Sequence, residues 1–311
     1  MKTHVLEPRE GIADAVAWLM AGEPVALPTE TVYGLAAAAL SPPACAKIFE
    51  AKARPLSDPL IVHVPSRAWL SRIAAPPPLA LALAGAFWPG PLTLVVARRS
   101  TVPDIVTAGQ GTVAVRMSAH PVFQEVIVRF GKPLAAPSAN RFGRISPTTA
   151  DHVLGELGGR IPLILDGGPC THGIESTIVH VLGDRLHILR QGPIDENALR
   201  AFAPVFLGPS GVVAPGGLKS HYAPQTPLLI EENPRARGPA DGLLCWSQPA
   251  GGFAKTEFLS RSGDLREAAA NLYGAMRRLD EAGLDLIIAE PVPETGIGAA
   301  IMERLRKAAA R

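Results

Sequence analysis

Residues 25–35 read Val25-Ala26-Leu27-Pro28-Thr29-Glu30-Thr31-Val32-Tyr33-Gly34-Leu35, in which an apolar segment ends at a proline and a polar turn follows. Upstream, residues 11–21 place apolar side chains on one face of a helix. Downstream, Ser41-Pro42 is typical of a helix start, and residues 60–64 form another short apolar run. This alternation predicts an α/β fold of the α+β type, in which helices flank a mixed twisted sheet.

The same alternation continues to about residue 203 and predicts a first domain over residues 1–203. Residues 204–226 are rich in Pro, Gly and Ser without periodicity, which predicts a linker. Residues 227–311 again show strand and helix patterns and predict a small second α/β domain. Further strands of the first domain are predicted at 92–97, 113–117, 134–136, 163–165, 177–181 and 186–189, and further helices at 121–130 and 148–157.

The composition is that of a folded chain. Its 311 residues are 47% hydrophobic and 19% charged, which is too apolar for intrinsic disorder. Thirty Lys and Arg against 28 Asp and Glu give a net charge of +2, so any contact with nucleic acid is expected to be transient. The three cysteines form no CxxC pair, so neither a disulfide framework nor a structural zinc site is expected.

Targeting signals are not expected either. The first ten residues lack the apolar core of a signal peptide. The uncharged stretch 73–97 is long enough to cross a bilayer but contains five prolines. We therefore expect a cytoplasmic protein without a membrane span.

Familiar catalytic motifs are absent from the sequence, which contains no GxxxxGK[ST] loop, no HExxH helix and no GxSxG turn. Polar residues instead follow apolar strand candidates, as at 29–31, 138–140 and 175–176. Ligands bind at such strand ends in α/β folds. Turns capped by hydroxyl or Asn side chains are the alternative, and the pattern alone favours them.

Three cations stand out at element ends. Lys52 and Arg54 lie two apart, so on an extended loop they would point the same way, as a phosphate clamp requires. The alternative, which the pattern again favours, is a solvated helix end whose charges complement the helix dipole. Arg116 ends an apolar strand, where a buried guanidinium would require an anionic partner.

Seven motifs in this order resemble the YrdC-like L-threonylcarbamoyladenylate synthases. They are TETVYGL (29–35), KARP (52–55), PLIVHV (59–64), VAVR (113–116), PSAN (137–140), ESTIV (175–179) and RQGPI (190–194). The segment 214–224 is similar to the linker of the family's long form. The resemblance covers residues from about 8 to 311 and implies a YrdC-like catalytic domain followed by a small Rossmann-like α/β domain.

The resemblance implies an adenylyltransferase that converts ATP, L-threonine and bicarbonate or CO2 into threonylcarbamoyl-AMP and pyrophosphate. The product feeds tRNA modification, so the implied partners are the downstream tRNA threonylcarbamoyl transferase machinery and, at most transiently, tRNA. The implied cofactor is Mg²⁺ bridging the ATP phosphates, with no metal ligand assigned to the protein. Residues 219–224 are implied to form an active-site lid.

The resemblance also assigns roles to individual residues. Arg116 would bind the threonine carboxylate by two hydrogen bonds, and either His63 or a hydroxyl group would recognise the side-chain hydroxyl of threonine. The implied catalytic residues are Lys52, Arg54 and Arg190; the implied ATP-binding residues are Lys52, Arg54, Thr112, Asn140, Ser146, Arg190 and Tyr222; and the implied threonine-binding residues are Thr31, His63, Arg116, Ser138 and Ser176.

Three other functions remain as alternatives. A carbamoyltransferase that uses carbamoyl-adenylate shares this type of domain, but its hydrogenase-maturation form carries acylphosphatase and zinc modules that this sequence lacks. A non-catalytic RNA-binding module would need a basic surface rich in aromatic residues, whereas only 5% of this chain is aromatic. A sugar-phosphate lyase would need clustered acidic metal ligands, whereas the strand-end motifs hold only Glu30 and Glu175.

Overall fold

The computed structural model describes residues 2–208, 210–216, 221–248 and 251–310. Within them, an 11-stranded mixed sheet and a 4-stranded sheet, both packed against helices, form two units. The α/β architecture predicted from the sequence is thereby confirmed. No helix in these ranges has both the length and the hydropathy that crossing a membrane requires.

The first unit is built from short elements. Prolines occupy the first turns of several helices, where a missing amide proton breaks no helical hydrogen bond. Its strands are β1 (His4–Leu6), β2 (Val25–Leu27), β3 (Gly34–Ala38), β4 (Ile61–His63), β5 (Leu92–Ala97), β6 (Thr112–Arg116), β7 (Leu134–Ala135), β8 (Leu163–Leu165), β9 (Thr177–Leu182), β10 (Arg185–Arg190) and β11 (Val205–Leu207). Its helices are α1 (Pro8–Met20), α2 (Pro42–Lys52), α3 (Leu70–Ile73), α4 (Pro78–Phe87), α5 (Asp104–Thr107), α6 (Pro121–Phe130), α7 (Ala150–Leu157) and α8 (Glu196–Arg200).

The topology of the large sheet gathers several strand ends at one edge. The strand order is β1-β8-β2-β3-β7-β4-β6-β5-β9-β10-β11. β4 and β6 are parallel, and their last residues, His63 and Arg116, are paired. β5 runs antiparallel to β6 and parallel to β9, and β10 returns antiparallel to β9 with Arg190 opposite Ile178. The ends of β4, β6 and β10 therefore meet the start of β9.

The second unit is a parallel sheet with two long helices. Its strands are β12 (Leu228–Ile230), β13 (Asp241–Cys245), β14 (Lys255–Phe258) and β15 (Leu286–Ala289), in the order β12-β15-β13-β14, and its helices are α9 (Leu265–Asp280) and α10 (Gly298–Ala309). Every strand pair in this sheet is parallel, as expected of a small Rossmann-like domain. Asp264 caps α9 by accepting hydrogen bonds from the amides of Arg266 and Glu267.

The two units share an apolar cluster. Val32, Ile145 and Ile174 of the first unit pack with residues of α9 and α10, among them Leu272 and Leu305. All three lie in or beside the polar strand-end segments of the first unit. The second unit therefore packs against the segments that carry the candidate site residues.

Two strands differ from the sequence expectations. β3 has the sequence GLAAA, and alanine has little intrinsic preference for strands. It is a strand because it pairs with β2 on one side and β7 on the other. β11 lies within the predicted linker yet pairs with β10 in the large sheet. The division into residues 1–203, 204–226 and 227–311 stays a prediction.

Candidate active site

The gathered strand ends line a small cavity of about 40 Å³. A water molecule fits such a space, but a typical small-molecule pocket is larger, at roughly 300 Å³ or more. The cavity is lined by Thr29, Thr31, Val32, Gly34, Arg54, Ile61, His63, Arg116, Ala136, Pro137, Ser138, Glu175, Ser176, Arg190, Pro215, Gly216, His221 and Tyr222.

One wall holds Arg116 in a fixed orientation. Its Nη1 donates to Thr31 Oγ1 at 2.8 Å and its Nε to the carbonyl oxygen of Gly90 at 3.2 Å. Its Nη2 lies 2.7 Å from Glu30 Oε1, although the two atoms are not aligned as a hydrogen bond. Glu30 thus supplies the anionic partner that a buried arginine requires, which leaves at most one proton on each Nη atom for a ligand.

Glu30 is ionised despite its burial. Burial raises the pKa of this carboxyl group, but the charge of Arg116 and a hydrogen bond from Ser118 Oγ at 2.5 Å outweigh it and lower the pKa to about 2. Thr29, beside it in the chain, caps the turn by accepting from the amides of Thr31 and Val32. The TETV turn therefore serves both the local fold and the orientation of Arg116.

His63 is a neutral imidazole beside Arg116. Burial lowers the pKa of His63 to about 3, and the neighbouring Arg116 charge contributes to this. The ring packs against Phe123 with centroids 4.7 Å apart, and Nδ1 is buried without a hydrogen-bond partner. Because buried polar atoms are rarely left unpaired, His63 Nδ1 marks a position where a ligand polar group fits.

Lys52 does not line the cavity but bonds Ser138, which does. It ends α2, and its ammonium group donates to the carbonyl oxygens of Ser138 and Asn140, each at 2.5 Å. Burial lowers the pKa of Lys52 well below its usual range, and the charge of Arg54 adds to this effect. Lys52 thus holds the loop after β7 against the end of α2.

Arg54 lines the cavity and is held by its own loop. Its Nη2 lies 2.9 Å from Asp58 Oδ2 and donates to the carbonyl oxygen of Pro59 at 2.7 Å. Its Nε donates to the carbonyl oxygen of Asp58 at 3.1 Å. The polar side chains at the end of α2 are thus buried, and the solvated helix end considered from the pattern does not occur.

Arg190 joins two strand ends and the linker. Its Nε donates to the carbonyl oxygen of Ser176 and its Nη2 to Ser176 Oγ, both at 3.0 Å. Ser176 Oγ is in turn 2.7 Å from Thr93 Oγ1. Arg190 Nη1 lies 3.4 Å from the carbonyl oxygen of Pro215. Arg54 and Arg190 therefore line the same cavity as Arg116 and His63.

Linker residues also line the cavity. Gly216 has φ of +80°, and a Cβ atom there would lie 2.6 Å from Tyr222 Oη. Tyr222 is itself in the left-handed region at φ +61°, which costs a non-glycine residue on the order of 1 kcal/mol or more. Its side chain is buried, and its hydroxyl group has no hydrogen-bond partner among the described residues. Residues 217–220, which include Lys219 and Ser220 of the predicted lid, lie outside the described residues.

The structure brings most of the predicted residues together. All of the predicted threonine-binding residues line the cavity, as do Arg54, Arg190 and Tyr222. Lys52 and Asn140 are joined to it through Ser138. Thr112 instead begins β6, about 13 Å along the strand from Arg116 at 3.3 Å per residue. The roles of all these residues remain predictions.

Other site residues were not predicted as such. Glu30 and Glu175 were noted only as the carboxylates of their motifs, and His221 only as part of a linker motif. Burial lowers the pKa of His221 to about 3, and its Nδ1 is unpartnered. Ser146, predicted to bind ATP, donates instead to Glu175 Oε1 at 2.6 Å. The signal available in the sequence is the carboxylate within two of the three polar segments, Glu30 and Glu175.

A second, larger cavity of about 760 Å³ shares Arg190 with the cavity of about 40 Å³. Its other walls come from residues 57–58, from linker residues 212–214 and from α10. Ala214 packs on Ile61, Ala114 and Ile178 of the large sheet. The linker therefore lies over the sheet face next to Arg190.

The buried carboxyl groups predict acid sensitivity. Glu30 and Glu175 both have their pKa lowered to about 2, so each stabilises the folded state fully above pH 4.5, and this stabilisation is lost as the pH falls towards 2. Each contributes on the order of 3 kcal/mol. We expect the free energy of unfolding, measured in urea, to fall steeply between pH 5 and 3, and less steeply for Glu30→Gln. Equal values at pH 6 and pH 3 would contradict this expectation.

Two family models match the chain. The model of the Sua5/YciO/YrdC family, described as "Telomere recombination", matches residues 17–192. The model described as "Threonylcarbamoyl-AMP synthase, C-terminal domain" matches residues 185–310. Together they span both structural units.

Individual relatives cover nearly the whole chain. The threonylcarbamoyl-AMP synthase of Bacillus subtilis is 42% identical over 96% of this chain and 92% of its own length. The enzyme of the same name from Pyrococcus abyssi is 39% identical over 98% of this chain and 97% of its own length. The crystal structure of P. abyssi Sua5 complexed with L-threonine has a TM-score of 0.90 at 36% identity, over 99% of this chain and 98% of that one.

Proposed function

The chain belongs to the Sua5/YciO/YrdC family of threonylcarbamoyl-AMP synthases, and we propose that it condenses L-threonine, bicarbonate or CO2, and ATP into threonylcarbamoyl-AMP and pyrophosphate. One observation carries the proposal. A single cavity is lined both by Arg116, suited to a carboxylate, and by Arg54 and Arg190, suited to phosphates. An enzyme that joins an amino-acid derivative to a nucleotide needs both a group that binds the carboxylate and groups that bind the phosphates.

The threonine end of the cavity follows from Arg116. Its remaining Nη protons would bind the carboxylate, while Thr31 and Glu30 keep the guanidinium in place. The unpartnered Nδ1 of neutral His63 would pair with the side-chain hydroxyl of threonine. A site that hydrogen-bonds a substrate hydroxyl discriminates strongly against an analogue that lacks it.

The reaction then proceeds as an in-line displacement. Threonine amine and bicarbonate give the carbamate with loss of water. A carbamate oxygen attacks the α-phosphorus of ATP, the new O–P bond forms, and the bond to the bridging oxygen breaks as pyrophosphate leaves. Arg54 and Arg190 would neutralise the charge that develops on the pyrophosphate, which is a larger effect than any acid or base here.

Lys52 supports this site from one contact away. Because its ammonium holds the carbonyl oxygens of Ser138 and Asn140 in the closed structure, one proton is left for a phosphate oxygen. Mg²⁺ is proposed to arrive as the ATP complex. Within the described residues no group of three or more His, Cys, Asp or Glu could hold a metal ion, and Asp58 is paired with Arg54. The phosphates themselves would therefore carry the ion.

The linker is proposed to open and close with each turnover. A cavity of about 40 Å³ cannot hold threonine and a triphosphate, whereas the adjoining cavity of about 760 Å³ is of nucleotide-binding size. Moving the linker residues 214–216 and 221–222 would join the two cavities at Arg190. Closure afterwards would keep water from the carbamate and the adenylate.

The product would pass to a tRNA threonylcarbamoyl transferase, and we place the reaction in the cytoplasm.

The proposal is tested by measuring pyrophosphate release with ATP, threonine and bicarbonate, omitting each in turn, and by identifying the adenylate by mass spectrometry. Release is expected only in the complete mixture. Release without threonine would contradict the proposal, and AMP formed from ATP and carbamoyl phosphate would favour the carbamoyltransferase alternative.

Tyr222 offers a test of the lid. Tyr222→Ala removes a ring that stacks on Tyr273 at 5.9 Å and lies 5.4 Å from the Arg304 guanidinium. Losing both contacts should weaken closure and slow adenylate formation roughly tenfold, with faster hydrolysis of the adenylate. Tyr222→Phe, which keeps the ring, serves as the control. Wild-type rate and product retention in Tyr222→Ala would show that the linker only connects the units.

A further inference from the structure

One buried carboxylate of the candidate active site, Glu175, is bonded by the second unit. Glu175 immediately precedes Ser176, and both of its oxygens lie within 3.1 Å of Tyr273 Oη on α9. Arg304 Nε on α10 lies 3.0 Å from Glu175 Oε2. Ser146 is the contact from the first unit. The segment before β9 is thus held by two side chains from the other unit.

Helix α10 also holds the segment after β10. Arg304 Nη1 donates to the carbonyl oxygen of Gln191 at 2.7 Å. The amide of Gln191 donates to Glu303 Oε2 at 2.9 Å. Both backbone polar groups of Gln191, the amide and the carbonyl, are therefore bonded to consecutive residues of α10.

The two held segments carry the pair Ser176 and Arg190. Glu175 and Gln191 are their chain neighbours, and Arg190 bonds Ser176 through both its carbonyl oxygen and its hydroxyl group. We propose that Arg304 is a positioning residue for the reaction, which sets the orientation of Arg190 towards the ATP phosphates by holding Glu175 and Gln191 together. This inference rests on the proposed function.

The burial of Arg304 argues for orientation over stability. Its side chain is fully buried, and Glu175 is 5% exposed. A buried ion pair is weak evidence for stability, because desolvation offsets the attraction and apolar residues of equal size often serve as well. What an apolar pair cannot do is fix two backbone segments by directional hydrogen bonds. A misplaced Arg190 would lose much of its effect, since electrostatic catalysis depends on preorganised geometry.

The test compares variants of the full chain. Glu175→Gln/Arg304→Gln removes both charges of the pair, so its free energy of unfolding should fall less than that of Arg304→Gln alone, while the directional hydrogen bonds from Arg304 are lost. We expect its single-turnover rate of pyrophosphate release to fall about tenfold or more, with weaker ATP binding by calorimetry. Arg278→Gln is the matched control, since Arg278 lies in the same unit and pairs with Glu257 at 2.9 Å on the exposed surface. It should behave as wild type.

Tyr273→Phe is the second variant, in case the double variant does not fold. It keeps the ring and removes only the hydroxyl group that bonds Glu175. We expect its single-turnover rate of pyrophosphate release to be roughly three- to tenfold lower. A purely structural role would lower the free energy of unfolding but leave the rate and ATP affinity of the folded protein unchanged. Wild-type rates in the folded variants would overturn the inference alone. An inactive wild-type protein would overturn the proposed function and the inference with it.

Discussion

Arg190→Ala is expected to slow pyrophosphate release roughly ten- to hundredfold, because losing a charge-assisted phosphate contact costs about 1.5 to 3 kcal/mol. The structure adds a second reason. Arg190 bonds both Ser176 and Pro215, so its removal also removes a hydrogen bond between the linker and the strand end. Both effects act on the same step, since charge neutralisation and closure are needed together when pyrophosphate leaves.

The measurement is single-turnover pyrophosphate release at saturating ATP and threonine. Arg190→Lys keeps the charge but cannot span both segments, so its rate should lie between those of Arg190→Ala and wild type. Arg200→Ala is the control, because Arg200 forms an exposed pair with Glu196 on α8. A near-normal rate at saturating ATP, with only weaker ATP binding, would reject the catalytic role of Arg190 and leave its binding role.

Arg116→Gln is expected to have two separable effects. It leaves the ionised Glu30 buried and unpaired, which should lower the free energy of unfolding by about 3 to 5 kcal/mol. It also removes the proposed carboxylate contact, which should weaken threonine binding about a hundredfold. Urea unfolding and calorimetry measure the two effects independently.

The double variant Glu30→Gln/Arg116→Gln separates them. With both charges removed, the stability should largely return, because no ion is left buried alone. Threonine binding should stay weak, because no cation is left for the carboxylate. Recovery of threonine affinity in the double variant would show that Arg116 serves only to neutralise Glu30.

Much of the site could be read from local patterns. Strand ends with polar residues point to a ligand site, and the parallel pairing of β4 and β6 then places His63 beside Arg116. The need for an anion near Arg116 was also predictable from its place at the end of an apolar strand. The anion is Glu30, which is 86 residues away in the chain. The order of the strands in the sheet brings it to Arg116, and no local pattern encodes that order.

Other features depended wholly on tertiary contacts. Pattern alone favoured a solvated helix end at Lys52 and Arg54, but the loops after β7 and α2 bury both side chains. β3 is a strand because both of its edges are paired, although its alanines have little preference for that structure. Thr112 shares a strand with Arg116 but lies at its other end, and the resemblance gave no distance between them.

The sequence by itself determined the α/β class, the family and the set of polar strand-end residues, because strand and helix periodicity and ordered motifs are local properties of the chain. Only the tertiary structure decided that Arg304 and Tyr273 hold Glu175, at sequence separations of 129 and 98 residues. It also decided that Arg190 contacts the linker. Contacts of this kind arise when the second unit packs on the first, so their partners are chosen by the shape of the folded surfaces and not by spacing along the chain.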